Sequence, residues 1–186
     1  MTNVGLDLDG CIADFNTSAI KLGNRLFGTS APLDDPPQWD YFKLWWTKEQ
    51  ETILWMSMEE EFWLELTGLL TPPEWEKLRE IVKLCPTYFI TSRPMGQSKK
   101  WAEAWLIAHG IACPTVVVTQ EKGMAASVLD LDIMWDDYPW FLGDVRHYRG
   151  WRTRCYLQDH CYNHDDHGEW TRVRGLMEVI EKEQLG

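Results

Sequence analysis

The sequence predicts an α/β fold, a Rossmann-like parallel sheet with helices on both faces and a small helical cap inserted after the first strand. Three observations predict it. Short apolar runs alternate with stretches of helical spacing. Several of those runs end in acidic or hydroxyl residues. Residues 15–70 interrupt the alternation with a long, aromatic, helix-like stretch.

Val4 to Leu8 reads as a buried strand that ends in Asp7-Leu8-Asp9-Gly10. Residues 14–28 carry apolar positions at helical spacing (Phe15, Ala19, Leu22, Leu26), and a breaker-rich loop with three prolines follows. Residues 47–66 look helical and aromatic, with a stop near Gly68. Thr71-Pro72-Pro73-Glu74 is a helix start: a capping hydroxyl, Pro in the first turn and an early acid. Tyr88 to Ile90 is the second strand, running into Thr91-Ser92-Arg93-Pro94. A helix over 97–109 ends at Gly110, Thr115 to Val118 is the third strand, and a short helix covers 122–128. Ile133 to Trp135 is the fourth strand, stopped by Asp136-Asp137. A helical stretch over 139–148, a fifth strand over Thr153 to Leu157 and an amphipathic helix over 171–184 complete the pattern. The expected organisation is therefore a core of residues 1–14 and 71–186 with a cap of residues 15–70.

Bulk properties narrow the function. With 18 basic and 29 acidic residues the net charge is −11, which disfavours binding to a nucleic-acid polymer. A small phosphorylated substrate would need a local cation. No apolar run has the length of a membrane span. The acidic N-terminus is no signal peptide, and five cysteines without a CxxC pair read as reduced, buried thiols, so a cytoplasmic location is expected. The twelve tryptophans, many between Trp39 and Trp75, read mostly as packing, with a few lining a pocket for a flat ligand.

In a parallel sheet, ligands bind at the carboxyl ends of the strands. Asp7, Asp9, Thr91, Ser92, Asp136 and Asp137 all fall there, with Lys122 just after the third strand. Clustered carboxylates repel one another unless a cation joins them. An oxygen-rich set suits Mg2+, which also shares substrate phosphates. One carboxylate can attack phosphorus while its neighbour handles a proton, and lysine and hydroxyl donors can stabilise phosphoryl oxygens. A lone Asp-x-Asp usually caps a loop; the ordered set at successive strand ends is what carries the functional reading.

Asp7-Leu8-Asp9-Gly10-Cys11-Ile12-Ala13-Asp14-Phe15 resembles the first motif, DxDGxxxDF, of haloacid dehalogenase-type (HAD) phosphatases. Ile90-Thr91-Ser92, Lys122 and Trp135-Asp136-Asp137 resemble the second, third and fourth. Three stretches narrow the resemblance to the 5'(3')-deoxyribonucleotidases: Asp9 to Phe15, Glu61 to Leu66 followed by Pro72, and Val118 to Lys122. The resemblance implies a phosphoric monoester hydrolase acting on nucleoside monophosphates. In it Asp7 is nucleophile and metal ligand, and Asp9 is the acid/base that gives its backbone carbonyl to Mg2+. Thr91, Ser92 and Lys122 hold the phosphoryl group. Asp136 or Asp137 completes the metal shell; which of them binds directly is open. Phe15, Phe62 and Trp63 match positions lining a nucleobase pocket. The family's phosphate-touching lysine after Thr-Ser-Pro has no clean counterpart, so Arg93 or Lys99 is expected to substitute. A phosphatase for another small metabolite and a non-catalytic nucleotide binder are the rival readings, and a homodimer is left open. The His- and Asp-rich stretch 159–167 reads as a surface loop rather than a zinc site, and Arg146, Arg149, Arg152 and Arg154 as a solvated basic face.

Overall fold

A computed structural model describes residues 1–94 and 96–185. Its centre is a six-stranded, all-parallel sheet formed by β1 (Val4–Leu6), β2 (Thr87–Thr91), β3 (Thr115–Val118), β4 (Ile133–Asp136), β5 (Arg154–Gln158) and β6 (Thr171–Val173). The spatial order is β3-β2-β1-β4-β5-β6. The chain runs outward from β1 on one side, then returns to β4 on the other. That reversal places the topological switch point at the end of β1, where such sheets open a crevice.

Register does the positioning. Leu6 pairs with Phe89 on one side and Trp135 on the other. Asp7, one residue on, donates its N–H to the Trp135 carbonyl at 2.9 Å. The ends of β1, β2 and β4 are thereby brought to one edge. The strand itself is shorter than the sequence suggests: it stops at Leu6, and Asp7 to Asp9 lead into a turn at Gly10, whose φ is +90°. A Cβ at Gly10 would lie 2.0 Å from Asp137 Oδ2, so glycine is needed there for both backbone and space.

The helices are α1 (Phe15–Phe27), α2 (Phe42–Trp45), α3 (Lys48–Met56), α4 (Glu60–Leu64), α5 (Pro72–Leu84), α6 (Ser98–Ala108), α7 (Lys122–Val128), α8 (Pro139–Arg149) and α9 (Leu176–Glu183). Asp14 caps α1 by accepting the Thr17 N–H at 3.0 Å, and Gly28 closes it in the left-handed region. The α5 start forms as expected, with Glu74 accepting from both the N–H and the hydroxyl of Thr71. The two ends of the 15–70 segment lie side by side: Leu69 N–H reaches Ile12 O and Asp14 N–H reaches Thr67 O, both at 2.8 Å. Gly23 on α1 admits the Trp46 ring, which a Cβ would meet at 2.4 Å.

Several sequence expectations are corrected. Residues 47–66 are not one helix: the chain breaks at residues 57–59, where the Met58 carbonyl accepts the Trp63 indole N–H at 2.8 Å. The expected helix over 171–184 begins only at Leu176; Thr171–Val173 instead extends the sheet beside β5. The basic run is a solvated face only in part: Arg152 and Arg154 are exposed, while Arg146 and Arg149 are partly buried and bonded to the backbone. Arg146 donates to the carbonyls of Gly150, Thr153 and Glu169, Arg149 to that of Leu131, and Arg154 pairs with Glu183. All five cysteines are free, but only Cys11 and Cys155 are buried; Cys113 and Cys161 are exposed. No described helix is long and apolar enough to cross a membrane.

Candidate active site

Lys122 opens α7 just beyond β3, with its side chain 1% exposed. Its ammonium donates to Asp7 Oδ1 at 2.6 Å and to Asp136 Oδ2 at 2.7 Å, and lies 4.5 Å from the centroid of the Phe141 ring. The helix can sit this close because Gly123 has no side chain: a Cβ there would meet the Asp144 carbonyl oxygen at 2.4 Å. Burial works against the charge on Lys122, but the Asp136 and Asp7 carboxylates outweigh it and hold the ammonium protonated.

The two adjacent acids after β4 diverge. Asp136 is consumed internally: one oxygen takes Lys122 and the other accepts the Tyr138 N–H at 2.9 Å. Asp137 lines the open cavity, accepts the Tyr162 hydroxyl, and has its own carbonyl held by Asn163 at 2.8 Å. Burial raises the Asp7 carboxyl well above its usual range; Lys122 opposes that rise, while Asp136, Asp137 and Asp9 add to it. Burial, with the neighbouring Asp136 charge, likewise pushes Asp137 up to about 7 against the lowering pull of Tyr162.

Ligand atoms of Asp7, Asp137 and Cys11 lie within 4.8 Å of one another. Burial raises the Cys11 thiol, so it keeps its proton and is a poor partner for a hard cation. The carboxylates are different. Asp7, Asp136 and Asp137 are packed together with one lysine, and burial with the repulsion of neighbouring carboxylates raises Asp7 and Asp137. This donor set fits a hard, oxygen-seeking divalent cation such as Mg2+.

Asp9 faces the same cavity from the other side. Arg93 donates to it twice, Nε to Oδ2 at 2.8 Å and Nη2 to Oδ1 at 2.7 Å, and the Thr91 hydroxyl adds a bond at 3.2 Å. The cavity holds about 190 Å³. Of the sequence-selected residues, Asp7, Asp9, Phe15, Ser92, Arg93, Trp63, Lys122 and Asp137 line it. Thr91 and Asp136 stand behind them, each bonded to a lining residue. Phe62 does not line the cavity; it packs edge-on against Phe15 and Trp63, with centroids 6.0 and 5.1 Å away. Lys99 is not brought to the site: it sits on α6, mostly exposed, 3.7 Å from Glu103.

Sequence reasoning missed part of the wall. Asn16, Tyr41, Phe42 and Trp55 join Phe15 and Trp63 in the lining, with the charged Asp40, Lys43 and Glu51 of the same segment, and Trp39, Tyr162 and Phe141 complete it. Trp55 and Trp63 stack on Phe15 at 5.6 and 5.7 Å. Trp39 stacks on Tyr138 at 3.7 Å and meets Tyr162 edge-on. The loop carrying Trp39 is pinned by Asp35, which contacts His160 Nδ1 at 3.0 Å and accepts the Cys161 N–H at 2.6 Å. His160 Nε2 contacts the Gly10 carbonyl at 2.7 Å. Both ring nitrogens therefore face acceptors, which suits the protonated imidazole. Burial opposes that charge, but the bond to Asp35 prevails and raises the His160 titration. The signal for Tyr162 was its place in the loop after β5, at the same sheet edge; the signal for Phe42 and Trp55 was only their aromatic character.

The family model for 5' nucleotidase, deoxy (pyrimidine), cytosolic type C protein matches residues 1–183. No curated protein matches the sequence. Among solved structures, a protein described as a haloacid dehalogenase-like hydrolase from Burkholderia xenovorans LB400 superposes with a TM-score of 0.66 at 14% identity, over 99% of this chain and 98% of that one. A HAD family hydrolase from Deinococcus radiodurans R1, with bound phosphate and sodium, gives 0.62 at 13% identity over 100% and 97%. A hydrolase from Pseudomonas syringae gives 0.58 at 16% identity over 99% and 98%. The likeness to these structures shows the HAD-like fold. The whole-length family match shows more: the chain belongs to the deoxy (pyrimidine), cytosolic type C 5'-nucleotidase family and is a phosphoric monoester hydrolase.

Proposed function

We propose that the protein is a magnesium-dependent phosphatase of nucleoside monophosphates, preferring 5'(3')-deoxyribonucleotides and working through an aspartyl phosphate on Asp7. The observation that carries this reading is the position of Asp7. It is buried, held by Lys122 and faces a cavity lined by carboxylates and cations of the sheet edge and by aromatic and charged side chains of residues 15–70. The cap is residues 15–70, and it supplies most of the aromatic lining. The Asp7 carboxylate attacks phosphorus and the bond to the leaving oxygen breaks. Asp9 gives that oxygen its proton. A water then attacks the aspartyl phosphate, Asp9 takes the water's proton, and phosphate leaves Asp7 regenerated. Thr91, Ser92 and Lys122 steady the phosphoryl oxygens. Asp7, Asp137 and the Asp9 carbonyl would hold Mg2+, which neutralises charge on the phosphoryl group when bound. Asp136 is assigned instead to holding Lys122, since both its oxygens are engaged.

Phe15 and Trp63, with Phe62 behind them, are assigned to the nucleobase, whose flat face suits aromatic stacking. The five free cysteines support a reducing, cytoplasmic compartment. The bound phosphate in the Deinococcus hydrolase supports a phosphate-bearing substrate for this fold. The test is phosphate release from a panel of deoxy- and ribonucleoside monophosphates and sugar phosphates, with Mg2+ and with EDTA. Mg2+-dependent release favouring deoxyribonucleotides is expected. Release from sugar phosphates alone would remove the nucleotide assignment, and undiminished release in EDTA would remove the metal.

A further inference from the structure

Arg93 is the most tightly engaged cation of the site after Lys122, and its engagement is not with open space. Its side chain is 1% exposed. Two of its nitrogens meet the two oxygens of Asp9, a fork-on-fork contact that fixes the plane of the carboxylate as well as its position. The Thr91 hydroxyl adds a third restraint on Asp9 and itself accepts the Arg93 backbone N–H at 3.3 Å. The other side of the guanidinium arrangement is equally fixed: its carbon lies 4.5 Å from the centroid of the Trp63 ring. Trp63 is in turn held by its bond to the Met58 carbonyl and by stacking on Phe15. Of the three guanidinium nitrogens only Nη1 is without a partner among the described residues, and it is buried. A direct grip on a phosphoryl group would have to use Nη1 or the second N–H of Nη2, or break the contact with Asp9.

We infer that Arg93 is a positioning residue for Asp9: it orients the carboxyl group that, protonated on one oxygen with the other held by Arg93, gives its proton to the leaving oxygen, with Trp63 as its backing. This rests on the acid/base assignment of Asp9 above. It gives Trp63 a second task besides bounding the pocket, and links the aromatic segment to the proton transfer. Lysine reproduces the role poorly, because its ammonium lacks the rigid planar fork that fixes the plane of the carboxyl group.

The test compares two substrates in Mg2+: a deoxynucleoside monophosphate, whose alkoxide must be protonated as it leaves, and p-nitrophenyl phosphate, whose phenolate leaves without help. Arg93→Lys and Arg93→Met should lower kcat for the nucleotide by roughly 10²-fold, the usual size of general-acid assistance. KM should change little, and the burst of p-nitrophenolate, which precedes the hydrolysis step that Asp9 serves for both substrates, should lose far less. In an Asp9→Asn background, Arg93→Met should cost nothing more, because a residue that acts through Asp9 has nothing left to act on. Equal losses of that first step on both substrates, with a raised KM, would overturn the inference and make Arg93 a phosphate ligand. Additive losses in the Asp9→Asn background would overturn it as well. If Arg93→Met fails to fold, Arg93→Lys carries the same two-substrate comparison. A wild-type protein inert to both substrates would sink the phosphatase reading and this inference together; an active one with unaffected Arg93 variants would sink the inference alone.

Discussion

The charged edge of the sheet and the aromatic segment of residues 15–70 meet at one cavity but are built on opposite principles. At the edge, each group has a specified partner: Lys122 bridges Asp7 and Asp136, Tyr162 holds Asp137, Arg93 holds Asp9. In the aromatic segment, Phe15, Phe42, Trp55 and Trp63 are held mostly by contact with one another. Buried charge tolerates few arrangements, because an unpaired ion in the interior is costly. Aromatic packing can be rebuilt with other rings at moderate cost. The edge therefore sets the reaction, and the aromatic wall is the part free to set the substrate.

Changes at the edge should be the more damaging. Lys122→Met would leave Asp7 and Asp136 buried without their cation, so we expect a loss of about 3–5 kcal/mol in denaturant unfolding together with loss of turnover. A stable variant would mean that the carboxylates do not depend on the lysine. Trp55→Ala should do something different: KM for nucleotides should rise by up to about tenfold, the worth of one aromatic stack, with kcat and sugar-phosphate hydrolysis little changed. An effect on kcat alone would show that the wall is not a substrate surface.

The carboxylate cluster also makes a pH-dependent prediction. Asp137 titrates near 7 when folded, against an ordinary 3.8, so the folded state binds its proton more tightly than the unfolded state. Its contribution is then most favourable below about pH 4 and is lost as pH rises towards about 7. Without divalent cation, Asp137→Asn should gain in Tm relative to wild type between about pH 5 and about pH 8. Excess Mg2+ should reverse that gain; a pH-independent difference would contradict the unbalanced charge. The smallest effect is expected at the Asp35–His160 contact, which is partly exposed. Asp35→Asn should cost about 1 kcal/mol near neutrality. His160 is raised above 6.5, so this contribution should fade as pH rises through the raised value. Asp35 is lowered below 3.8, so it should fade again in acid as pH falls through the lowered value. Thermal melts of the two proteins across pH would check both limbs.

Much of the edge was legible because its residues follow the strands. Asp7, Thr91 and Asp136 stand at strand ends, and a parallel register carries them to one place without long-range knowledge. The division of labour between Asp136 and Asp137 was not legible, since it depends on which side chain turns towards Lys122. The Arg93–Asp9 pair joins residues 84 apart, and nothing local marks it. β6 escaped because Thr171 to Val173 is too short to show alternation; its pairing with β5 makes it a strand. The aromatic wall was visible as composition but not as geometry: Phe62 was expected in the cavity and lies behind it, whereas Phe42 and Trp55 line it.

The central claim is that Asp7 takes the phosphoryl group. The most direct measurement is mass spectrometry of peptides from enzyme mixed with a deoxynucleoside monophosphate and Mg2+, then quenched in acid within one turnover. The account predicts one added phosphoryl group on the peptide containing Asp7, absent from Asp7→Asn. A phosphoryl group on any other residue, or turnover by Asp7→Asn at the wild-type rate, would contradict it.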